Sequence, residues 1–410
     1  MNYSQSPVPP VQVKRTLSIV FFVMLMDIIG LSILFPVAPF IVQRYSNSAV
    51  TVTLLSGIYA AAQFFAAPAM GNISDRVGRR PVLLISVFGS AIGYFIFGIG
   101  GALWILFLAR IIDGITGGNL STASAYIADV SPPADRAKNF GLIGVAFGLG
   151  FILGPALGGL VSQISIDAPA FLAGILSLMS VGVMYFALPE SLPKEKRDKT
   201  PLSLKDFNPL MSIGDMLKKP NLGLLLLILC VFNFAFSGTS SVVGVYSAQR
   251  LNATPAQIGM LFVVGGIITA IVQAKIVDPT VKRHGEKNMA IVSLLCLGLG
   301  YGFIAIATEF WMLYPTAILR NGIGGFFWGT LGALTASKVL PREQGKLAGV
   351  NTAIQSLMSA ISPLAAGVAY DSIAPGAPFL LGAGVFLIGM LLTFAVKNDP
   401  VSDKPAAHWS

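Results

Sequence analysis

Gly71-Asn72-Ile73-Ser74-Asp75-Arg76-Val77-Gly78-Arg79-Arg80-Pro81 joins two long apolar stretches, 51-72 and 82-101. Four of these residues, Asp75, Arg76, Arg79 and Arg80, carry charge, and unpaired charge is costly inside a bilayer. Each flanking stretch has about the 20 apolar residues that a spanning helix needs. The segment therefore reads as a tight hairpin between two membrane spans, held at the membrane surface by its charges. Gly71 would let the helices approach closely, Gly78 would allow the sharp turn, and Pro81 can stand in the first turn of the next helix, where its missing N–H is not needed.

Counting outward in both directions gives twelve apolar stretches: 17-43, 51-72, 82-101, 103-127, 139-162, 169-188, 221-247, 256-278, 287-308, 311-337, 346-370 and 376-396. The chain as a whole is 54% hydrophobic and 11% charged, against roughly 25% charged residues in a soluble domain. The expected fold is an all-α membrane protein with twelve transmembrane helices in two pseudo-symmetric six-helix bundles, 17-188 and 221-396. A polar segment at 189-220 would link them, with short tails at 1-16 and 397-410. Nothing before the first stretch resembles a cleavage site after a short apolar core, so that stretch is expected to stay as an anchor.

Lysine and arginine are retained on the cytoplasmic side of short loops. With the N-terminus inside, the cations fall in the even-numbered loops and the tails; only Arg44 and Arg250 lie outside, while Arg110 and Arg320 lie within spans. This distribution accounts for the net charge of +9 without a nucleic-acid surface, because the charges are spread over short loops. Both termini are expected to be cytoplasmic.

Three offsets point to duplication. Asp75 corresponds to Asp278, Arg110 to Arg320, and Gly154-Pro155 to Ser362-Pro363, at shifts of 203, 210 and 208. Secondary transporters are often built from such repeats, with the substrate site near the midplane between them. No enzyme is expected: Cys230, Cys296, His284 and His408 are isolated, and neither a metal set nor a phosphate-cradling loop is present. No cofactor and no metal are expected.

Besides Arg320, two intramembrane sites carry charge. Arg110, Asp113, Gly114 and Gly117 share one helical face, so Arg110 and Asp113 form either a structural ion pair or part of a proton and substrate site. Asp27 has no cation within reach on its own helix. A carboxyl buried in apolar surroundings favours its neutral form, which suits a group that loads and releases a proton, although a hydrogen bond to a neighbouring helix would also explain it. Gly150, Gly154 and Gly158 recur every four residues beside Pro155 and Gly159, a surface for close helix packing. Polar faces on apolar spans should meet a cavity or another helix. Asn233, Ser237, Ser240 and Ser241 make one such face, and Asn351, Gln355, Ser359 and Ser362 another. Tyr59, Gln63, Phe327 and Trp328 could complete the walls of a substrate cavity, or each of these residues could serve packing.

The 71-81 segment closely resembles the signature loop between helices 2 and 3 of the major facilitator superfamily. The run from Gly150 to Gly159 is similar to the motif associated with its antiporters. Together with the stretch from Asp27 to Pro39, these segments resemble the twelve-span drug:proton antiporters, and tetracycline efflux proteins in particular; the second half is matched by topology and weak motif echoes. The resemblance implies gating by Gly71, Asp75, Arg76, Gly78, Arg79 and Arg80, with Asp75 facing the start of helix 11 when the halves are closed inside. It implies a monomeric carrier in a bacterial inner membrane, with protons and a small amphipathic solute as partners. Where the family usually has a neutral residue, this chain has Asp113, which leaves the role of Arg110 open. The other reading is a carrier of an endogenous metabolite or lipid without proton coupling.

Overall fold

The computed structural model describes residues 10–199, 222–340 and 343–396; most of the expected tails and of the linker therefore lies outside the described residues. Twelve membrane crossings follow one another in chain order: α1 (Pro10–Ser32), α2 (Ala49–Val77), α3 (Arg79–Ile99), α4 (Leu103–Val130), α5 (Arg136–Val161), α6 (Ala168–Ala187), α7 (Gly223–Arg250), α8 (Pro255–Lys275), α9 (Glu286–Ala305), α10 (Leu313–Ala317, Ile318–Ile323 and Phe326–Ala336), α11 (Gln344–Ser372) and α12 (Ala377–Phe394). Eleven of these are long and apolar enough to cross a bilayer. The twelfth, α10, is broken.

Several spans depart from continuous helices for local reasons. The stretch 17-43 divides: α1 ends at Ser32, turns follow, and a short helix runs Ala38–Gln43. Pro36 and Pro39 each remove an N–H donor and disfavour helix in the preceding residue. In α4, Gly117-Gly118 interrupts two helical segments, Leu103–Thr116 and Asn119–Val130. In α10, Gly324 N donates to Leu319 O at 2.8 Å, a five-residue step that makes Ile318–Ile323 a π-helical turn, the kind of bulge that often sits at functional positions. The opposite case is α8, whose start is sharply defined. Thr254 and Gln257 exchange side-chain and backbone hydrogen bonds in a capping box, just before Pro255 opens the helix.

The duplication suggested by the offsets reappears in the packing. In the first half, α1 packs on α5 and α6, α3 on α4 and α6, and α2 on α4; in the second, α7 packs on α11 and α12, α9 on α10 and α12, and α8 on α10. A shift of six helices maps one set onto the other. The two halves meet through α2 against α11 and α5 against α8, which is also a pair related by that shift. Large apolar side chains such as Phe186, Ile164, Ile99 and Ile373 point outward, at 86%, 83%, 71% and 70% exposure; on this fold that is the lipid-facing surface.

Close contact between the halves lies at the end away from the 71–81 loop. There Gly57 sits against Ala360, Gly367 against Val50 and Thr53, and Gly159 against Pro255 and Ala256. Ile152 of α5 meets Gly266 of α8, yet Gly148 and Gly144, one and two turns along the same face toward the loop, have no neighbour that an added methyl would touch. Gly349 of α11 is open in the same way. The bundle is closed at its far end and parted at its loop end.

Candidate transport site

The loop charges form a network within the first half. Arg79, nearly buried, is its hub: its guanidinium pairs with Asp75, reaches Asp129 at 3.2 Å and donates to Ser74 Oγ at 2.6 Å. Glu190 accepts from the Arg79 and Arg80 backbone N–H groups at 2.8 and 3.3 Å, placing an anion at the N-terminus of α3. Arg76 donates to Asn72 O at 3.0 Å and lies 3.9 Å from Asp198. Arg80 donates to Tyr185 O at 2.6 Å. Gly78 has φ +118, in the region that favours glycine, and Pro81 occupies the first turn of α3 as expected. With the halves apart at this end, Asp75 pairs with Arg79. One expectation needs correction. A methyl on Gly71 would meet only Ser121 Oγ, at the ordinary distance of 3.7 Å, so Gly71 marks no close helix approach.

At the far end a carboxylate bridges the halves. Asp371 of α11 accepts from Ser48 Oγ at 2.5 Å and from the N–H groups of Ala49 and Val50 at 3.0 and 3.1 Å. Ser48 makes no cap of its own for α2, so the other half supplies it. Gln249 adds a bond to Asn47 O at 3.0 Å. Since these bonds exist only while the far end is closed, Asp371→Ala should favour opening there. A cysteine at Ala360, in the closed seam, is expected to react about threefold or more faster with an impermeant maleimide added from that side, the loss of a few modest hydrogen bonds; an unchanged rate would show that the bridge holds nothing.

Between these ends lies the charged centre of the first half. Asp27, Tyr59, Gln63, Gly117 and Asn119 line a cavity of about 60 Å³, room for a few waters. Asn119 stands beside Asp27 in the lining of this cavity. Gln63 donates to Gly117 O at 2.9 Å and to Tyr59 Oη at 3.3 Å. Gly117 N in turn donates to Asp113 O at 2.6 Å. Arg110 and Asp113, both buried, are 3.1 Å apart, and the guanidinium lies over Phe97, Tyr94 and Tyr59 at 4.7, 5.6 and 6.0 Å from their ring centres. Two carboxyl groups, one ion-paired and one facing a small cavity, thus share a polar cluster at mid-bundle. Asn119 was invisible to the sequence reading because it lies past the Gly117-Gly118 break; only the three-dimensional path of α4 brings it under Asp27.

The glycines of α5 pack against the helix that carries Asp27. Gly150 packs against Ile28, Gly154 against Ser32 and Ile29 O, and Gly158 against Ile33 O and Pro36. Ser32 Oγ donates to Gly150 O at 2.9 Å. The adjoining face of α5 serves the other half: Gly159 meets Pro255 and Ala256, and Pro155 O meets Gly259. One helix therefore touches both α1, which carries Asp27, and α8 of the other half.

The second half offers an aromatic wall. Phe232 stacks on Phe327 at 4.2 Å and on Phe236 at 5.5 Å, and Trp328 stands edge-on to Phe232 at 5.0 Å. Phe327 and Asn233 are buried, the latter donating to Leu229 O of its own helix at 2.8 Å. These two pack rather than present an open surface. Trp328 and Gln355 are exposed, Ser237 and Asn351 partly so.

The sequence profile of the Major Facilitator Superfamily matches residues 20–282 and 248–410. The chain belongs to this superfamily. Among curated members, "Tetracycline resistance protein, class C" of Escherichia coli is 34% identical over 92% of this chain and 95% of its own length. "Multidrug resistance protein 2" of Bacillus subtilis (strain 168) is 27% identical over 92% and 95%. The crystal structure of the human organic anion transporter MFSD10 (TETRAN) superimposes with a TM-score of 0.70 at 25% identity, covering 94% of this chain and all of that one. As a facilitator-superfamily protein it is a multi-pass integral membrane transporter of small molecules, and not an enzyme.

Proposed function

We propose that the protein is a proton-coupled antiporter that exports small amphipathic organic compounds, tetracycline-like drugs among them, by alternating access. The observation that carries the reading is the placement of Asp27: a carboxyl on α1 that lines a small cavity with Asn119, Tyr59 and Gln63, the last two leading to the Arg110–Asp113 pair. Such a group can take a proton in one state and lose it in another, while the paired Asp113 keeps Arg110 neutralised. Relatives whose names denote tetracycline and multidrug resistance, matched over nearly their whole lengths, support export of this class of compound.

The division into bundles at 17-188 and 221-396, with a linker at 189-220, belongs to the same proposal; the repeated packing scheme supports it. The loop end, rich in arginine, is assigned to the cytoplasm on the charge rule, with both termini on that side in a bacterial inner membrane. The conformation is then inward-open. Rocking of the halves about the α2–α11 and α5–α8 contacts would break the Asp371 bridge and bring the 71–81 network against α11. The working unit is taken as a monomer.

Cells expressing the protein should hold less fluorescent tetracycline than control cells, and a protonophore should abolish the difference. Asp27→Asn should hold as much as the control. Export that persists in Asp27→Asn would instead favour a carrier without a proton site at this position.

A further inference from the structure

The second half repeats the Arg110 site with one component missing. Gly93-Tyr94 on α3 corresponds to Gly300-Tyr301 on α9, and Arg110 to Arg320. The correspondence is geometric as well. The Arg110 guanidinium lies 5.6 Å from the centre of the Tyr94 ring, and that of Arg320 lies 5.0 Å from the centre of the Tyr301 ring. Each glycine leaves the space that this crossing needs: a methyl on Gly93 would crowd Ala109 O and Asp113, and one on Gly300 would crowd Arg320 Cγ. At the place of Asp113, however, the second half has Ile323.

No other carboxylate replaces it. Between 222 and 396 the acidic residues are Asp278, Glu286, Glu309, Glu343 and Asp371, and every one stands at the end of a span. Glu309, the nearest in sequence, precedes Arg320 by eleven residues, roughly 16 Å along a helix. Among the described residues Arg320 makes no ion pair, and its Nε is buried without a hydrogen-bond partner. The side chain as a whole is only partly buried. It sits in the π-helical turn of α10, beside Tyr301, whose hydroxyl is 3.0 Å from Ser240 Oγ on α7. A guanidinium at mid-membrane costs several kcal/mol unless something neutralises it, and its planar fork fits a carboxylate or enolate.

We propose that Arg320 is an anion subsite, which binds an ionised carboxylate or enolate on the transported solute. The inference rests on the antiporter reading and names its substrate class: amphipathic compounds with an aromatic body and one acidic group. The repeat then has a division of labour. In the first half Asp113 occupies its arginine permanently, and the cluster handles the proton; in the second half the solute itself occupies the arginine, and its charge is neutralised while it is bound.

The test uses the purified full-length protein and three fluorescent compounds that share one aromatic frame, bearing a carboxylate, a primary amide or a tertiary amine. Wild type should bind the carboxylate on the order of tenfold more tightly than the amide, the usual worth of a charge-assisted bond, and this preference should vanish below the pH at which the free carboxylate is protonated. Arg320→Gln should remove the preference by weakening the carboxylate alone, and Arg320→Lys should restore part of it. Equal affinities of wild type for carboxylate and amide would overturn the proposal whether or not the variants fold. So would an equal loss for all three compounds in Arg320→Gln. Proton release driven by the amide, measured in parallel, reports on antiport separately, so failure of the anion subsite leaves that reading standing.

Discussion

Arg110→Leu is expected to destabilise the protein by about 3–5 kcal/mol, and the double variant Arg110→Leu/Asp113→Leu to recover most of that loss. Both members of the pair are buried, with side-chain exposures of 8% and 2%, so solvent screens little of the interaction. Removing one partner leaves an uncompensated buried charge, whereas replacing both with apolar residues of similar size is often neutral or better. The aromatic rings of Phe97, Tyr94 and Tyr59 around the guanidinium offer a surface on which two leucines can pack. Thermal unfolding of the detergent-purified variants is the measurement. If the double variant is as unstable as the single one, the pair is not the source of stability here, and the polar contacts through Gly117 and Gln63 carry it. Proton coupling should fail in both variants, since the cluster beside Asp27 is lost; a structural pair with no part in transport would leave the double variant active.

The second large effect separates two glycines on one helix. A methyl on Gly158 would run into Ile33 O and lie 3.0 Å from Pro36 Cγ, and backbone at the end of α1 cannot yield as a flexible side chain does. Gly158→Leu should therefore push α1 from α5, at the upper end of or beyond the roughly 1–3 kcal/mol of overpacking, and should lose transport by displacing Asp27. Gly148→Leu faces open space in the present conformation and should fold normally. If the halves close at the loop end during the cycle, that leucine would block closure, so substrate binds and is not carried across. Full transport by Gly148→Leu would argue against closure along this face.

The twelve crossings were legible because length, hydropathy and the position of cations each report the same thing. So were the pairing of Arg110 with Asp113, three residues apart on one helical face, and the sharp turn at Gly78. What composition could not reveal were the breaks and the partners. Pro36, Pro39 and the glycines of α10 interrupt helices without changing hydropathy, so 17-43 and 311-337 read as continuous. Glu190, Asp129 and Asp198 join the 71–81 network from more than 45 residues away in sequence, and no local pattern announces such contacts. Helical periodicity placed Asn233 and Phe327 on polar or aromatic faces but could not tell an open wall from a packed seam. Arg320 was visible as an intramembrane charge and as the partner of Arg110 in the repeat; that it lacks a counter-ion became meaningful only once Tyr301 and Gly300 were seen to rebuild the same setting around it.

The central claim, that Asp27 exchanges a proton for solute, is tested most directly in acidified inside-out vesicles by recording proton release when tetracyclines, lipophilic cations or neutral amphiphiles are added. Wild-type vesicles should release protons on addition of a transported compound, and vesicles with Asp27→Asn should release none while still binding it. Radiolabelled solute that crosses without any proton movement in the wild type, or equal release by both proteins, would contradict the account.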